Sequence, residues 1–145
     1  MIRSCIICYR KTLNHIKMYE YISVDGTYIK VGENAKENTH LTSAAYPDDW
    51  WIHVANVPGS HVLIYSSQHI SPETMKDATT LAVHHSKAKT LTRADVHVIK
   101  AGSVKLGKSM GEAKLMDTPL TTTVFINKEN HRIERLLKTR ANIPI

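Results

Sequence analysis

The chain has 145 residues, 42% of them hydrophobic and 22% charged, with a net charge of +6. That length suits one domain with a single core, and no run approaches the roughly 18 apolar residues a membrane-spanning helix needs. Two cysteines exclude a disulfide framework, and the expectation is an intracellular, cytoplasmic protein.

Residues 1–17 carry +4 and read as a basic leader, disordered on this reading. Cys5-Ile6-Ile7-Cys8-Tyr9 is too short for a signal-peptide core. The Cys5/Cys8 pair lacks a second pair to complete a zinc site, with His15 the one nearby supplement, so both thiols read as incidental. The organised pattern begins at Met18, which could itself be the start, and residues 18–145 form one domain.

Met18–Val24 and Thr27–Val31 alternate Tyr, Ile and Val with polar residues around Asp25-Gly26, a two-residue hairpin signal. Asn34–Ala45 reads as a short helix with Ala35, Leu41, Ala44 and Ala45 inward, stopped by Pro47-Asp48. Trp50–Ala55 and His61–Tyr65 read as paired strands around a Val57-Pro58-Gly59-Ser60 turn. Ser71 caps the best helix, Pro72 suits its first position, and Ala78, Leu81, Ala82 and Ala88 form its apolar stripe. Val96–Lys100 and Thr121–Ile126 read as strands, with residues 101–114 a loop holding three Gly and three Lys. Asn127 is expected to cap a last helix through Lys138, with Ile133, Leu136 and Leu137 inward. The order gives an α+β fold: a mainly antiparallel sheet of hairpins, one long central helix, one short helix and a C-terminal helix.

Charge is unevenly spread. Residues 18–60 carry −4, residues 84–114 carry +5 and residues 115–145 carry +2. A clustered basic segment with Gly and Ser points to an anionic partner, phosphates first, against the plainer reading of a solvated lysine-rich surface.

The segment Asp48 to Val62 concentrates two Trp, two His, two Asp and a Pro-Gly-Ser turn. His53 and His61 on neighbouring strands could share a face. With Asp49 they could bind a metal, but zinc wants a third or fourth ligand, for which His69, His84 and His85 are the supplements. Ser60 beside His61 could pair nucleophile and base, but adjacent strand residues face opposite ways and no oxyanion hole is legible. Neither metal nor cofactor is therefore expected.

As a nucleic-acid site the same groups act differently. Trp50 or Trp51 offers a stacking face worth roughly 1–3 kcal/mol per base. His53 and His61 donate to phosphate or a base edge, Gly59 and Ser60 expose backbone N–H groups, and Lys87, Lys89, Lys105 and Lys108 supply the phosphate contacts. The structural alternative buries Trp51, has Asp49 orient a buried His53, and leaves Gly59 to the turn and His84-His85 as a wet helix face. Arg132, Arg135, Lys138 and Arg140 then form a solvated helix or a second phosphate contact.

The order of these motifs resembles the NFACT-R domain, the RNA-binding part of the large NEMF-type ribosome quality-control factors, which also occurs in small stand-alone proteins. Its Asp-x-Trp-x-His signature is matched by Asp49, Trp51 and His53, and its Pro-Gly-Ser-His-Val by Pro58, Gly59, Ser60, His61 and Val62. Val31, Gly32, Asn34, Ala35 and Asn38 match the preceding block, and Pro72, Glu73, Thr74, Ala82, Ser86, Lys87, Ala88 and Lys89 the following one. The agreement runs from about residue 19 to residue 126, and the end through Arg132–Arg140 looks like the single-domain members. The resemblance implies a non-enzymatic module that binds tRNA or rRNA, or the ribosome, in translation quality control. DNA is not distinguished by phosphate contacts, and a protein partner could use the C-terminal helix. The large factors' N-terminal domain and coiled coils have no counterpart in 145 residues, so addition of C-terminal tails is not implied. A nucleotide-directed enzyme using His53, Ser60 and His61 is the competing reading.

Overall fold

The computed structural model describes residues 17–65 and 69–144. The expectations for the Cys5/Cys8 pair and the leader, up to residue 16, fall outside the described residues. Strands β1 (Lys17–Ile22), β2 (Tyr28–Val31), β3 (Trp50–Val54), β4 (Val62–Ile64), β5 (Arg93–Lys100), β8 (Leu120–Phe125) and β9 (Ala141–Pro144) form a seven-stranded sheet. Its order is β8-β5-β3-β4-β2-β1-β9, and every neighbouring pair is antiparallel. A separate ribbon pairs β6 (Val104–Leu106) with β7 (Ala113–Leu115). Among the described residues three α-helices join them: α1 (Ala35–Ser43), α2 (Pro72–His84) and α3 (Asn130–Leu137). The fold is α+β with a mainly antiparallel sheet, as the alternation of the sequence predicts.

Alternation sorts the strand residues onto two faces, because successive strand side chains point opposite ways. One face carries Ile29, Val31, Ile52, Val54, Val62, Ile64, Val96 and Val98, packed against Ala78, Leu81 and Ala82 of α2. The other carries Met18, Trp51, Leu63 and Ile99, packed against Leu41 of α1 and the β6–β7 ribbon. Central strands are therefore apolar on both sides, which is why β4 reads as the unbroken run Val62-Leu63-Ile64. Leu81 is fully buried, and truncating it to Ala would cost about 2–5 kcal/mol.

The Ser71 cap follows the sequence, whereas Asn34, expected as the first helical residue, is the cap of its helix. Asn34 accepts from Glu37 N–H at 2.9 Å to start α1, and Ser71 Oγ accepts from Thr74 N–H at 3.1 Å to start α2. The β1–β2 hairpin is pinned to that second cap. Asp25 accepts from the hydroxyls of Ser23, Thr27, Ser71 and Thr74. These hydroxyls, Ser23 first, hold its carboxyl well below the usual range. The loop is longer than the expected two residues: Ser23 N–H donates to Thr27 carbonyl, enclosing Val24–Gly26, and Gly26 takes a φ of 89°.

Several expectations are corrected. Residues 101–114 are not a loop throughout, since they contain β6 and most of β7. α2 ends at His84, and Ala88 is buried in a separate 3₁₀ turn, Lys87–Thr90, capped by Ser86. The last helix begins at Asn130 with Glu129, not Asn127, at the cap position, because a 3₁₀ turn at Ile126–Lys128 intervenes. Its inward face also differs. Leu136 is buried, but Leu137 is 39% exposed and Arg132 only 6%. Ala35 and Ala44 are exposed rather than inward.

Arg132 faces inward because its charge is met there. Its Nη1 donates to Asp77 Oδ1 at 2.7 Å, and it pairs with Glu73 at 3.1 Å and Glu129 at 3.2 Å. Arg135 joins Asp77 at 2.6 Å. Asp77 is fully buried and also accepts from Val24 N–H at 3.0 Å. The two arginines therefore clamp α3 onto α2 and do not form a solvated basic face.

Candidate nucleic-acid interface

A cleft of about 670 Å³ opens beside the C-terminal end of α2. Its walls include the Pro58-Gly59-Ser60 segment, the start of α1, the 3₁₀ turn with Lys87 and Lys89, and Arg140 just before β9. Gly59 and Ser86 form an isolated antiparallel bridge that closes one side. Flanking it, Ser60 N–H donates to His85 carbonyl at 3.2 Å and Lys87 N–H to Pro58 carbonyl at 3.3 Å. The two signature segments, 58–60 and 86–89, are thus hydrogen-bonded to each other. The expected exposed N–H of Ser60 is consumed in that bridge, so it offers no backbone donor to an anion.

Gly59 is required for closeness rather than for a turn. A Cβ there would lie 2.8 Å from Ser86 Cβ and 3.1 Å from Val54 Cγ1. The sharp turn falls earlier, at Asn56, whose φ is 63°.

The cleft floor is polar and coupled. His85 Nδ1 lies 2.9 Å from Glu33 Oε2 and its Nε2 lies 2.6 Å from Tyr21 Oη. An ionised Glu33 only accepts, so it takes the Nδ1 proton and leaves Nε2 to accept from the tyrosine. Burial pushes Tyr21 up to about 12 and lowers His85. The side chain of His85 is 5% exposed, which corrects the expectation of a wet His84-His85 face. Arg140 lies over Tyr19, with Cζ 4.6 Å from the ring centroid. Lys87 and Lys89 are exposed at the rim and make no ion pair among the described residues.

His53 and His61 lie on the opposite face from α2, with Trp51. The rings of His53 and Trp51 are stacked at 5.8 Å and 17°, and His61 meets Trp51 edge-on at 4.9 Å. Thr42 Oγ1 accepts from Trp51 Nε1 at 3.1 Å and hydrogen-bonds His61 Nδ1 at 2.8 Å. The main-chain N–H of His61 donates to Asn38 Oδ1 at 3.0 Å. Burial first, then the charge of His53, lowers His61 to about 4. Burial lowers His53 as well. Both rings are therefore neutral near pH 7; His61 ties Thr42 of α1 to the sheet, and His53 lies against the rings of Trp51 and His61. Trp51, 3% exposed, is the core tryptophan.

Ser60 and His61 do not form a nucleophile–base pair. Ser60 Oγ donates to His85 carbonyl at 3.2 Å while His61 turns to Thr42. Asp49 accepts from Tyr46 N–H at 2.9 Å and closes the loop before β3. Burial, the Gly59 and Val54 backbone and His97 act on His53. Among the described residues no group of three His, Cys, Asp or Glu side chains could hold a metal ion.

The structure gathers Pro58, Gly59, Ser60, Lys87 and Lys89 and leaves the other candidates apart. Trp50 sits at the far end of β3 on the α2 face, with Lys100 Nζ 4.2 Å over its ring. Lys105 and Lys108 are exposed on the β6–β7 ribbon and are not in the cleft wall. The tip of that ribbon does reach the cleft: Gly111 N–H donates to Thr39 Oγ1 at 2.7 Å, which places Met110 and Gly111 against α1. Of the four C-terminal cations, Arg140 lines the cleft. The roles of Glu33, Tyr19 and His85 had no local signal, because each depends on pairings across more than 50 positions.

The model of the NFACT protein RNA binding domain matches residues 17–120. The Rqc2 homolog RqcH of Bacillus subtilis is 41% identical over 86 residues, covering 59% of this chain and 15% of that protein. The Rqc2 homolog RqcH of Streptococcus suis is 38% identical over 97 residues, covering 66% of this chain and 17% of that protein. A solved structure, the C-terminal of the fibronectin/fibrinogen-binding protein from Streptococcus suis, superposes with a TM-score of 0.75 at 27% identity, over 86% of this chain and 49% of that one. The chain thus spans only 15–17% of the length of these curated relatives. The family match includes β1 to β7 and most of the cleft. By that match over residues 17–120, the chain belongs to the NFACT protein RNA binding domain family.

Proposed function

We propose that this chain is an RNA-binding module that holds the backbone of tRNA or rRNA in the cleft between residues 58–60 and 86–89, and that it acts with the ribosome in cytoplasmic quality control. The observation that carries the reading is the convergence of three cations, Lys87, Lys89 and Arg140, on a cleft framed by the family's own signature segments. Each cation releases counterions on meeting a phosphate, which supplies affinity without reading sequence. Membership in the NFACT RNA binding family and likeness to the Rqc2 homologs support RNA as the anion. The neutral His61 serves this site indirectly, by holding Thr42 of α1 and the ribbon tip at Gly111 beside it. No helix among the described residues is long and apolar enough to cross a membrane.

The test is affinity for single-stranded RNA and tRNA against salt. Three phosphate contacts weaken single-strand binding roughly 20-fold between 50 and 200 mM salt. Changing both Lys87 and Lys89 to Ala leaves one, and the loss over the same range drops to roughly 3-fold. A double variant with the wild-type salt slope removes the cleft from the binding surface. No binding of either RNA at 50 mM salt removes the RNA reading.

A further inference from the structure

A second pocket, about 370 Å³, lies between α2, α3 and the end of β8. Its walls are Val83, Val124, Ile126 and Ile133. Two polar groups point the interior toward a ligand with hydrogen-bonding edges. Thr80 lines it, is 5% exposed, and its hydroxyl makes no hydrogen bond among the described residues. Asn130, at the start of α3, lines it with an amide that makes none either. A mostly apolar pocket of this size with a few polar groups falls within the range of small-molecule sites, roughly 300–1,000 Å³.

The pocket is continuous in its lining with the cleft. His84 and Lys89 line both. His84 stands edge-on to His85 at 5.1 Å, so its ring forms part of the divide. An occupant that extends from the pocket past Lys89 meets a cation first and then the cleft with Lys87 and Arg140. Flat, apolar-faced, with donor and acceptor edges and an anionic link to its neighbour: that is a nucleobase on its phosphate.

We propose that this pocket receives one unstacked base of the RNA strand whose phosphates lie in the cleft, with Lys89 on the phosphate that joins the two sites. The inference rests on the reading of the cleft as an RNA site. The amide of Asn130 and the hydroxyl of Thr80 meet the base edge, and the four aliphatic walls cover its faces. The module then selects single-stranded or splayed RNA over a closed duplex, because a paired base cannot leave its stack without added cost.

The test separates base from backbone. An RNA strand of about eight nucleotides, within the span a single-strand site occupies, is made wholly abasic and compared with the same strand bearing one base. The single base is expected to raise affinity about 5- to 150-fold, the range of one stacked base. Ile133→Trp, which fills the pocket, should abolish that gain while the wholly abasic strand binds with unchanged affinity and salt slope. Asn130→Ala, at an exposed position that cannot unfold the domain, should reduce the gain. No gain from the base in wild type, or a gain that persists in Ile133→Trp, overturns the pocket assignment and leaves the cleft standing. Failure of the abasic strand to bind at 50 mM salt, with base-bearing RNA also unbound, removes the cleft reading and this one with it.

Discussion

Gly59 and Ser86 face each other across a one-residue antiparallel bridge, so close that a Cβ on Gly59 would stand 2.8 Å from that of Ser86. This contact sets the position of Lys87 and Lys89, which follow Ser86 directly. Gly59→Ala must push the 86–89 turn outward or strain Val54, whose Cγ1 is 3.1 Å away. The expected cost is about 1–3 kcal/mol, typical of overpacking, with weaker RNA binding. Adding Ser86→Gly removes the nearest obstacle and should recover most of both losses, since Gly at a cap costs only a few tenths of a kcal/mol. Urea unfolding of the single and double variants decides it. A Gly59→Ala protein as stable as wild type would show that the bridge is not tight.

Asp77 is the hinge between α2 and α3. Fully buried, it meets Arg132, itself 7% exposed at the side chain, and Arg135, 36% exposed. Asp77→Ala leaves Arg132 buried without its main partner, and breaking such a pair costs about 3–5 kcal/mol. Pairing that change with Arg132→Met should restore part of the stability, because an apolar replacement avoids the unpaired charge. Arg135→Ala should cost about 1 kcal/mol or less, as its head group is partly in water. Equal losses from the Arg132 and Arg135 variants would contradict this ranking.

These two relationships mark where sequence reading stops. The Ser71 cap and the alternation of β1, β2 and β3 are set by neighbours within a few residues and are legible in the sequence; the burial of Trp51 follows from that alternation, although Leu41, Leu63 and Ile99, which cover it, lie on other elements. The sequence reads Arg132 as a solvated helix cation or a second phosphate contact, because its partner lies 55 positions away. His85 was read as wet because Tyr21, 64 positions away, is what covers it. β9 was invisible: Ala141-Asn142-Ile143-Pro144 has no strand pattern of its own and exists by pairing with β1. The cleft was half legible. Its lysines and its Gly-Ser segment stood out by charge and motif, whereas Arg140 enters because β9 brings the chain back beside β1.

Acid should loosen the domain as the pH falls below about 6.5. His61 is lowered to about 4 by burial and by His53, against an unfolded value of roughly 6.5. Above pH 6.5 neither state binds the proton, so this residue gives no pH dependence. As pH falls from about 6.5 toward 4 the unfolded chain takes up a proton that the native ring refuses, and stability drops by on the order of 2–3 kcal/mol. His53, lowered in the same direction, adds to the loss. The stabilisation from Asp25 is lost only below its unfolded value of roughly 3.9, outside this window. Urea midpoints measured from pH 7.5 to 4.5 should fall steadily, and His61→Gln should flatten the curve. A midpoint that does not change between pH 7 and 4.5 would refute the buried neutral histidine.

Trp50 is the tryptophan that exposure alone would nominate for stacking on a base, yet its position argues otherwise. It opens β3, four residues and about 13 Å of strand from Val54 and the cleft end. Its ring points to the α2 face, with the Lys100 ammonium 4.2 Å above it. A cation–π contact of this kind contributes about 0.5–1 kcal/mol at an exposed site, and a base landing there would have to displace it. Trp50→Phe keeps the ring and the packing while shrinking the stacking face. RNA affinity of that variant should stay within about two-fold of wild type, a change under 0.5 kcal/mol, while the Lys87/Lys89 double variant falls well below it in the same titration at 50 mM salt. A ten-fold loss in Trp50→Phe would instead put the RNA path across the Trp50–Lys100 end of the sheet, and the cleft lysines would then be a secondary contact.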